Sequence, residues 1–253
     1  MNRRVLITAG ASGIGLGLAK RFTAEGDRVA LCDADAEAIA RVQTELPGVI
    51  ACPADVTDEA QIAAFFGQVD KAWGGVDVVC ANAGTGGPAG RIEDLEYDAW
   101  RNCVGVNLFG AFLTCRWAAA RMRAQGSGSI ILTSSTAGLF GYPLRSPYAA
   151  AKWGIVGLTK TLAMELGPAG VRVNCICPGA VEGDRMERVL ANESAATGTP
   201  VEELRASYVA CTSLRTWVDA DDLADMALFL ASPAASKISG QILAVDGHTE
   251  SIN

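Results

Sequence analysis

Val5-Leu6-Ile7-Thr8-Ala9-Gly10-Ala11-Ser12-Gly13-Ile14-Gly15 is the stretch on which the fold turns. Val5 to Thr8 has the apolar, β-prone character of a short buried strand, the glycines that follow suit a tight turn, and an apolar periodic run then continues as a helix through Glu25. In a strand, glycine turn and helix of this kind, free amide groups and the positive end of the helix dipole face a pyrophosphate. A glycine-rich turn by itself is a weak signal, and its context strengthens it. A second strand, residues 28–32, ends in Asp33, about 20 residues beyond the glycines, where a carboxylate grips the hydroxyls of an adenosine ribose. The same carboxylate repels a 2′-phosphate, and Ser12 and Ala34 stand where an arginine would welcome one, so NAD is expected over NADP. The competing reading of Asp33 is a solvated loop aspartate.

Outward from this unit the alternation continues: helix 35–46, strand 49–52, helix 58–73, strand 76–80, a helical run over 97–123, strand 129–132, a helix to 166, strand 171–176, helix 221–231 and strand 241–245. The pattern predicts an α/β protein, a doubly wound parallel sheet with helices on both faces. No linker divides residues 1–253, so one domain is expected. Ligands of open α/β sheets bind at the carboxyl ends of the strands. That edge holds Asp55 after the third strand, Asn82-Ala83-Gly84 after the fourth and Pro178-Gly179 after the sixth. Asp55 and Asn82 each have a plainer reading as an Asx turn. Over 182–220 the pattern breaks into amphipathic pieces around Gly198, Thr199 and Pro200, read as a mobile lid holding Arg185, Met186, Tyr208 and Trp217. Phe140, Tyr142, Tyr208 and Trp217 are candidates for an aromatic wall, and Arg185 for an anion clamp, unless it only pairs with its neighbours Asp184 and Glu187.

The chemistry concentrates between Ser135 and Lys152. Ser135 follows a strand, Tyr148 comes thirteen residues later, and Lys152 four after that. A phenol titrates near 10 in isolation, so a tyrosine acts as a base near neutrality only when its anion is stabilised. If Tyr148 opens a helix, Lys152 lies one turn along on the same face, where an ammonium does this. Asn107, amid Val106, Leu108 and Phe109, needs hydrogen-bond partners, either as a structural node or within an active-site network.

The net charge of −7 argues against a nucleic-acid or anionic-membrane surface. Eight scattered cysteines show no metal-type pairing, and no metal is expected; Cys175 and Cys177 are expected on opposite faces of their strand, unsuited to chelation or a disulfide. With no secretory signal and no apolar run of transmembrane length, a cytoplasmic location is expected.

The ordered motifs resemble those of the short-chain dehydrogenase/reductase family, over essentially the whole chain. The TGxxxGIG motif is similar to Thr8–Gly15, NAG to Asn82–Gly84, and YxxxK to Tyr148–Lys152, with Asn107, Ser135 and Pro178-Gly179 in register. The resemblance implies a Rossmann fold and a tetrad of Asn107, Ser135, Tyr148 and Lys152. In it Tyr148 is the general acid/base and Lys152 lowers its pKa while bonding the nicotinamide ribose. Ser135 holds the substrate oxygen, and Asn107 supports a water that joins Lys152 to a proton relay. It implies cofactor contacts at Gly10, Ser12, Gly13, Ile14, Gly15, Asp33, Asp55, Val56, Asn82, Ala83, Gly84, Tyr148, Lys152, Pro178, Gly179 and Val181, and substrate contacts at Ser135, Tyr142, Arg185 and Trp217. It also implies a homotetramer. Three positions depart from the family pattern: Ala9 replaces the first glycine, Gly183 replaces a threonine that contacts the carboxamide, and His248 replaces the last glycine of DGG. The implied activity is NAD-dependent oxidation of a secondary hydroxyl to a ketone. The alternative is a catalytically silent NAD-binding sensor or scaffold, which would be expected to lack Tyr148 or Lys152.

Overall fold

In strand β1 (Arg4–Thr8), Val5 and Ile7 bury into one cluster and Leu6 into another, all without exposed surface. A strand apolar on both sides belongs inside a sheet covered on both faces. The computed structural model, which describes residues 2–249, has that sheet: seven parallel strands in the order β3-β2-β1-β4-β5-β6-β7. Here β2 is Arg28–Asp33, β3 Ile50–Pro53, β4 Val78–Ala81, β5 Gly128–Thr133, β6 Val171–Pro178 and β7 Ile242–Val245. The order reverses between β1 and β4, opening a crevice at the carboxyl edge.

Helices α1 (Gly13–Ala24) and α2 (Ala36–Glu45), together with the last helix (Ala220–Ala231), cover one face through Leu18, Phe22, Ile39, Val42, Leu223 and Leu230. The other face is covered by α3 (Glu59–Trp73), by the long helical run that starts at Tyr97, and by the helix Ser146–Leu166, through Phe65, Phe66, Trp117, Met122 and Ile155. The doubly wound expectation therefore holds. Helix starts fall where aspartates cap them: Asp35 accepts from the amides of Glu37 and Ala38, and Asp58 from those of Ala60 and Gln61. The sequence boundaries counted these caps as helix.

Four expectations need correction. Cys175 and Cys177 share a face, both packing with Leu132 and Ile155 while Ile176 packs on the other side, because side chains repeat every second residue along a strand. The run from Tyr97 is not one regular helix. It consists of α4 (Tyr97–Val104), a π turn at Gly105–Phe109 and α5 (Gly110–Gln125). These 29 residues are long and apolar enough to cross a membrane, contrary to the expectation of no such run, yet Ala111, Cys115, Ala118 and Met122 pack on the sheet. The amphipathic pieces expected over 182–220 are two helices, α7 (Asp184–Thr197) and α8 (Val201–Ala210), closed on a small core of Met186, Leu190 and Leu204. Finally, Tyr148 does not open its helix: α6 is Ser146–Leu166, and α9 is Ala220–Ala231.

Phe22 has no exposed surface and joins α1 to the sheet. Phe22→Ala should lower unfolding free energy by roughly 3–5 kcal/mol, read as a lower urea midpoint with an unchanged slope.

Candidate active site

The carboxyl edge opens into a cavity of about 650 Å³ that runs from the glycine turn to α7. At one end, Ser12, the residue before α1, makes no side-chain cap, so the first amides of the helix are left to the cavity that Gly13, Ile14 and Gly15 line. The turn admits no bulk. A Cβ on Gly15 would lie 1.9 Å from the Ala9 carbonyl oxygen and 2.9 Å from the Asn82 Nδ2. Ala9 itself adopts φ 51°, the left-handed region that favours glycine. Asn82 ties the turn to the sheet by donating to the Thr8 and Ala9 carbonyls at 3.3 and 3.2 Å and accepting from Thr133 at 3.3 Å. A cradle of free amides with no side chain in it fits a pyrophosphate.

Asp33 ends β2, where its carboxylate accepts from the amides of Ala11 at 3.1 Å and Asp35 at 3.1 Å. It thus braces the turn and does not itself line the cavity; Asp35 and Arg41 do. Asp55 accepts from the amide and hydroxyl of Thr57, both at 2.8 Å, an Asx turn. Val56 is buried against Gly110, and a Cβ there would sit 2.7 Å from Val56 Cγ2. Neither Asp55 nor Val56, nor Gly10 or Ala83, is on the wall, whereas Asn82 and Gly84 are.

At the other end stand Ser135, Tyr148 and Lys152. Lys152 is 2% exposed, donates to the Thr133 carbonyl at 2.9 Å, and its Nζ lies 5.6 Å from the centre of the Tyr148 ring. Burial lowers its pKa, and the Tyr148 phenol opposes that. Tyr142, Tyr148 and Tyr208 all face the cavity, and of these Tyr148 alone is lowered from the ordinary phenol value. Burial pushes Tyr142 and Tyr208 up. Burial also pushes Tyr148 up, but Arg185, Lys152, the Ser135 hydroxyl and Arg145 together bring it below the ordinary phenol value.

Asn107 sits in the π turn. Its Nδ2 donates to the carbonyls of Thr85 at 2.9 Å and Cys103 at 2.8 Å, while its buried Oδ1 has no partner among the described residues. A Cβ on Gly84 would lie 2.8 Å from that oxygen and 3.3 Å from Lys152 Nζ, so the glycine lets the amide and the ammonium approach one another. A π turn interrupts the regular α-helical ladder, and Asn107 sits within it.

At the end of β6 and just past it, Pro178, Gly179 and Val181 line the cavity. Val181 bridges Val218 through its neighbours' groups, Ala180 O and Glu182 N, which turns its own amide and carbonyl the other way. Tyr142 Oη pairs with Tyr208 Oη at 2.9 Å, and Tyr208 donates to Glu193 at 2.8 Å. Trp217, expected at the substrate, stands behind Tyr208 with its ring centre 6.3 Å away, off the cavity wall. Phe140 is likewise off the wall. His248 is exposed, with Nδ1 2.7 Å from Ser213 Oγ. Arg145, Arg41 and Glu193 line the cavity and were not singled out from sequence. The one available signal was an arginine set between two tyrosines, Tyr142 and Tyr148.

The profile of the Enoyl-(Acyl carrier protein) reductase family matches residues 8–248. A D-beta-hydroxybutyrate dehydrogenase of Rhizobium meliloti (strain 1021) is 34% identical over 98% of this chain and 98% of its own. The crystal structure of an NAD+-bound xylitol dehydrogenase superposes with TM-score 0.93 at 26% identity, covering 98% of both chains. That of a single-substitution variant of actinorhodin polyketide ketoreductase with NADPH gives TM-score 0.93 at 32% identity, covering 97% of this chain and 96% of that one. Fold, cavity and these likenesses agree, and the chain belongs to the short-chain dehydrogenase/reductase family of nicotinamide-dependent oxidoreductases acting on hydroxyl and keto groups.

Proposed function

We propose that the protein is an NAD-dependent dehydrogenase that reversibly oxidises a secondary hydroxyl to a ketone, with Tyr148 as the general base. The observation that carries this is the lowered phenol of Tyr148 beside Lys152 and Ser135 in a cavity that also holds an anion-accepting glycine turn. When bound, the nicotinamide supplies the hydride acceptor. The chain's residues handle position and proton. Ser135 holds the reacting oxygen beside Tyr148, and Tyr148 takes the hydroxyl proton. Lys152, fixed by the Thr133 carbonyl, stabilises the phenolate electrostatically. The unpartnered Oδ1 of Asn107 suits a water that passes the proton from Lys152 toward solvent. Gly13, Ile14, Gly15, Asn82, Gly84, Pro178, Gly179 and Val181 supply the cofactor cradle. Asp33 supports the preference for NAD, as a carboxylate at the end of β2.

A homotetramer is proposed as well, supported by the exposed side chains of Phe112 on α5 and Trp153 and Met164 on α6, which sedimentation velocity would check. The eight free cysteines, most of them buried, suit a reducing cytoplasm.

Tyr148→Phe should lower kcat by roughly 10²–10⁴-fold while cofactor still binds, as fluorescence titration would show; retained turnover would mean that another group is the base. Oxidation requires the phenolate, and the folded pKa lies below the ordinary phenol value. The rate should therefore rise with pH through a midpoint below about 10. Arg185→Gln should move that midpoint upward, because Arg185 is the foremost of the charges that lower it. Asp33→Ala should reduce the NAD-to-NADP ratio of kcat/KM by about tenfold, measured at 340 nm on a panel of secondary alcohols; an unchanged ratio would remove Asp33 from cofactor choice.

A further inference from the structure

Three cations surround Tyr148: Lys152, Arg145 and Arg185. Lys152 is fixed by the Thr133 carbonyl and the phenol. The guanidinium carbons of Arg145 and Arg185 lie 5.7 and 5.8 Å from the centre of the same ring. Arg145 is only 7% exposed, a heavy burial for a group that stays charged. Its Nη2 donates to the Gly86 carbonyl at 2.7 Å and it stacks on Tyr142 at 5.4 Å, but its buried Nε has no partner among the described residues.

Arg185 Nη2 reaches to 3.4 Å from Tyr148 Oη. Of its acidic neighbours Glu187 pairs with Arg205, and among the described residues neither Arg145 nor Arg185 has an ion-pair partner within 4.0 Å. Glu182, Asp184 and Glu193 also line the cavity; among the described residues none pairs with either arginine, and Glu193 accepts from Tyr208. Both arginines line the cavity. A Cβ on Gly86 would lie 2.8 Å from Arg145 Nη2 and 4.0 Å from Val189, which is one turn beyond Arg185 on the same face of α7.

The buried guanidinium of Arg145 is costly without a carboxylate, Arg185 is exposed beside it on the cavity wall, and a planar or tetrahedral oxyanion offers the acceptors both forks lack. We infer that Arg145 and Arg185 form an anion site beside the reacting centre, and that the substrate is a short hydroxy or keto compound carrying a carboxylate or sulfonate close to the reacting carbon. The substrate class rests on the dehydrogenase reading above; the anion site does not.

The test is calorimetric titration of the enzyme, saturated with whichever reduced nicotinamide cofactor it binds. Butyrate, propane-1-sulfonate and the neutral butyramide are compared in wild type, Arg145→Met and Arg185→Gln. At least one anion should bind about tenfold or more tighter than butyramide, and each substitution should remove about tenfold of that affinity while leaving butyramide and cofactor binding in place. The stronger of the two anions identifies the head group. Butyramide binding as tightly as both anions, or Arg185→Gln binding the anions like wild type, overturns the inference. Turnover of short 3-hydroxy acids and their amides is measured beside it. Selective anion binding with no turnover of either would leave the anion site standing and count against the dehydrogenase reading. Equal turnover of acid and amide without anion selectivity would do the reverse.

Discussion

The buried ammonium of Lys152 is the constraint around which the carboxyl edge of the sheet is built. A cation with 2% exposure persists only where dipoles and anionic partners replace water. The Thr133 carbonyl at the end of β5 is one such dipole, and the phenol of Tyr148, one helical turn away, is the other group placed to respond to it. Each modifies the other in opposite directions: the phenol holds the ammonium on, and the ammonium helps to draw the phenol down. Gly84 belongs to the same arrangement, since any side chain there would force Asn107 and Lys152 apart.

Much of this was legible in the chain because it depends on short-range rules. Strands buried on both faces leave continuous apolar runs, so the order of strands and helices, and the edge on which Asn82, Ser135 and Pro178 sit, follow from Val5–Thr8 outward. The spacing of Tyr148 and Lys152 fixes a shared helix face wherever that helix begins, which is why its start at Ser146 does no harm to the reading. Long-range placement was not legible. Arg145 is decided by which aromatic faces close over it, and Trp217 by the packing of Tyr208, neither of which leaves a periodic trace. Asp33 stands at the expected strand end, but its bonds to the Ala11 and Asp35 amides are visible only in three dimensions. The face shared by Cys175 and Cys177 was available from the strand period alone.

Charge is distributed unevenly around the cavity. The protein carries a net −7, yet Lys152, Arg145 and Arg185 gather at one tyrosine. At the glycine turn the positive character comes instead from backbone amides, which carry no titratable group. The two ends thus attract negative groups by different means, one fixed across pH and one coupled to the state of Tyr148.

The π turn at Gly105–Phe109 also sets the phase of everything after it. Each helical residue advances about 100°, so the surplus residue rotates α5 by that amount relative to α4. In that orientation Ala111, Cys115, Ala118 and Met122 meet the sheet while Phe112 faces outward. Loss of a single residue from this turn would carry those side chains off the sheet together. Apart from Asn107, whose amide the site uses, the segment therefore acts as a spacer whose residue count keeps a polar side chain and a buried helix face in step.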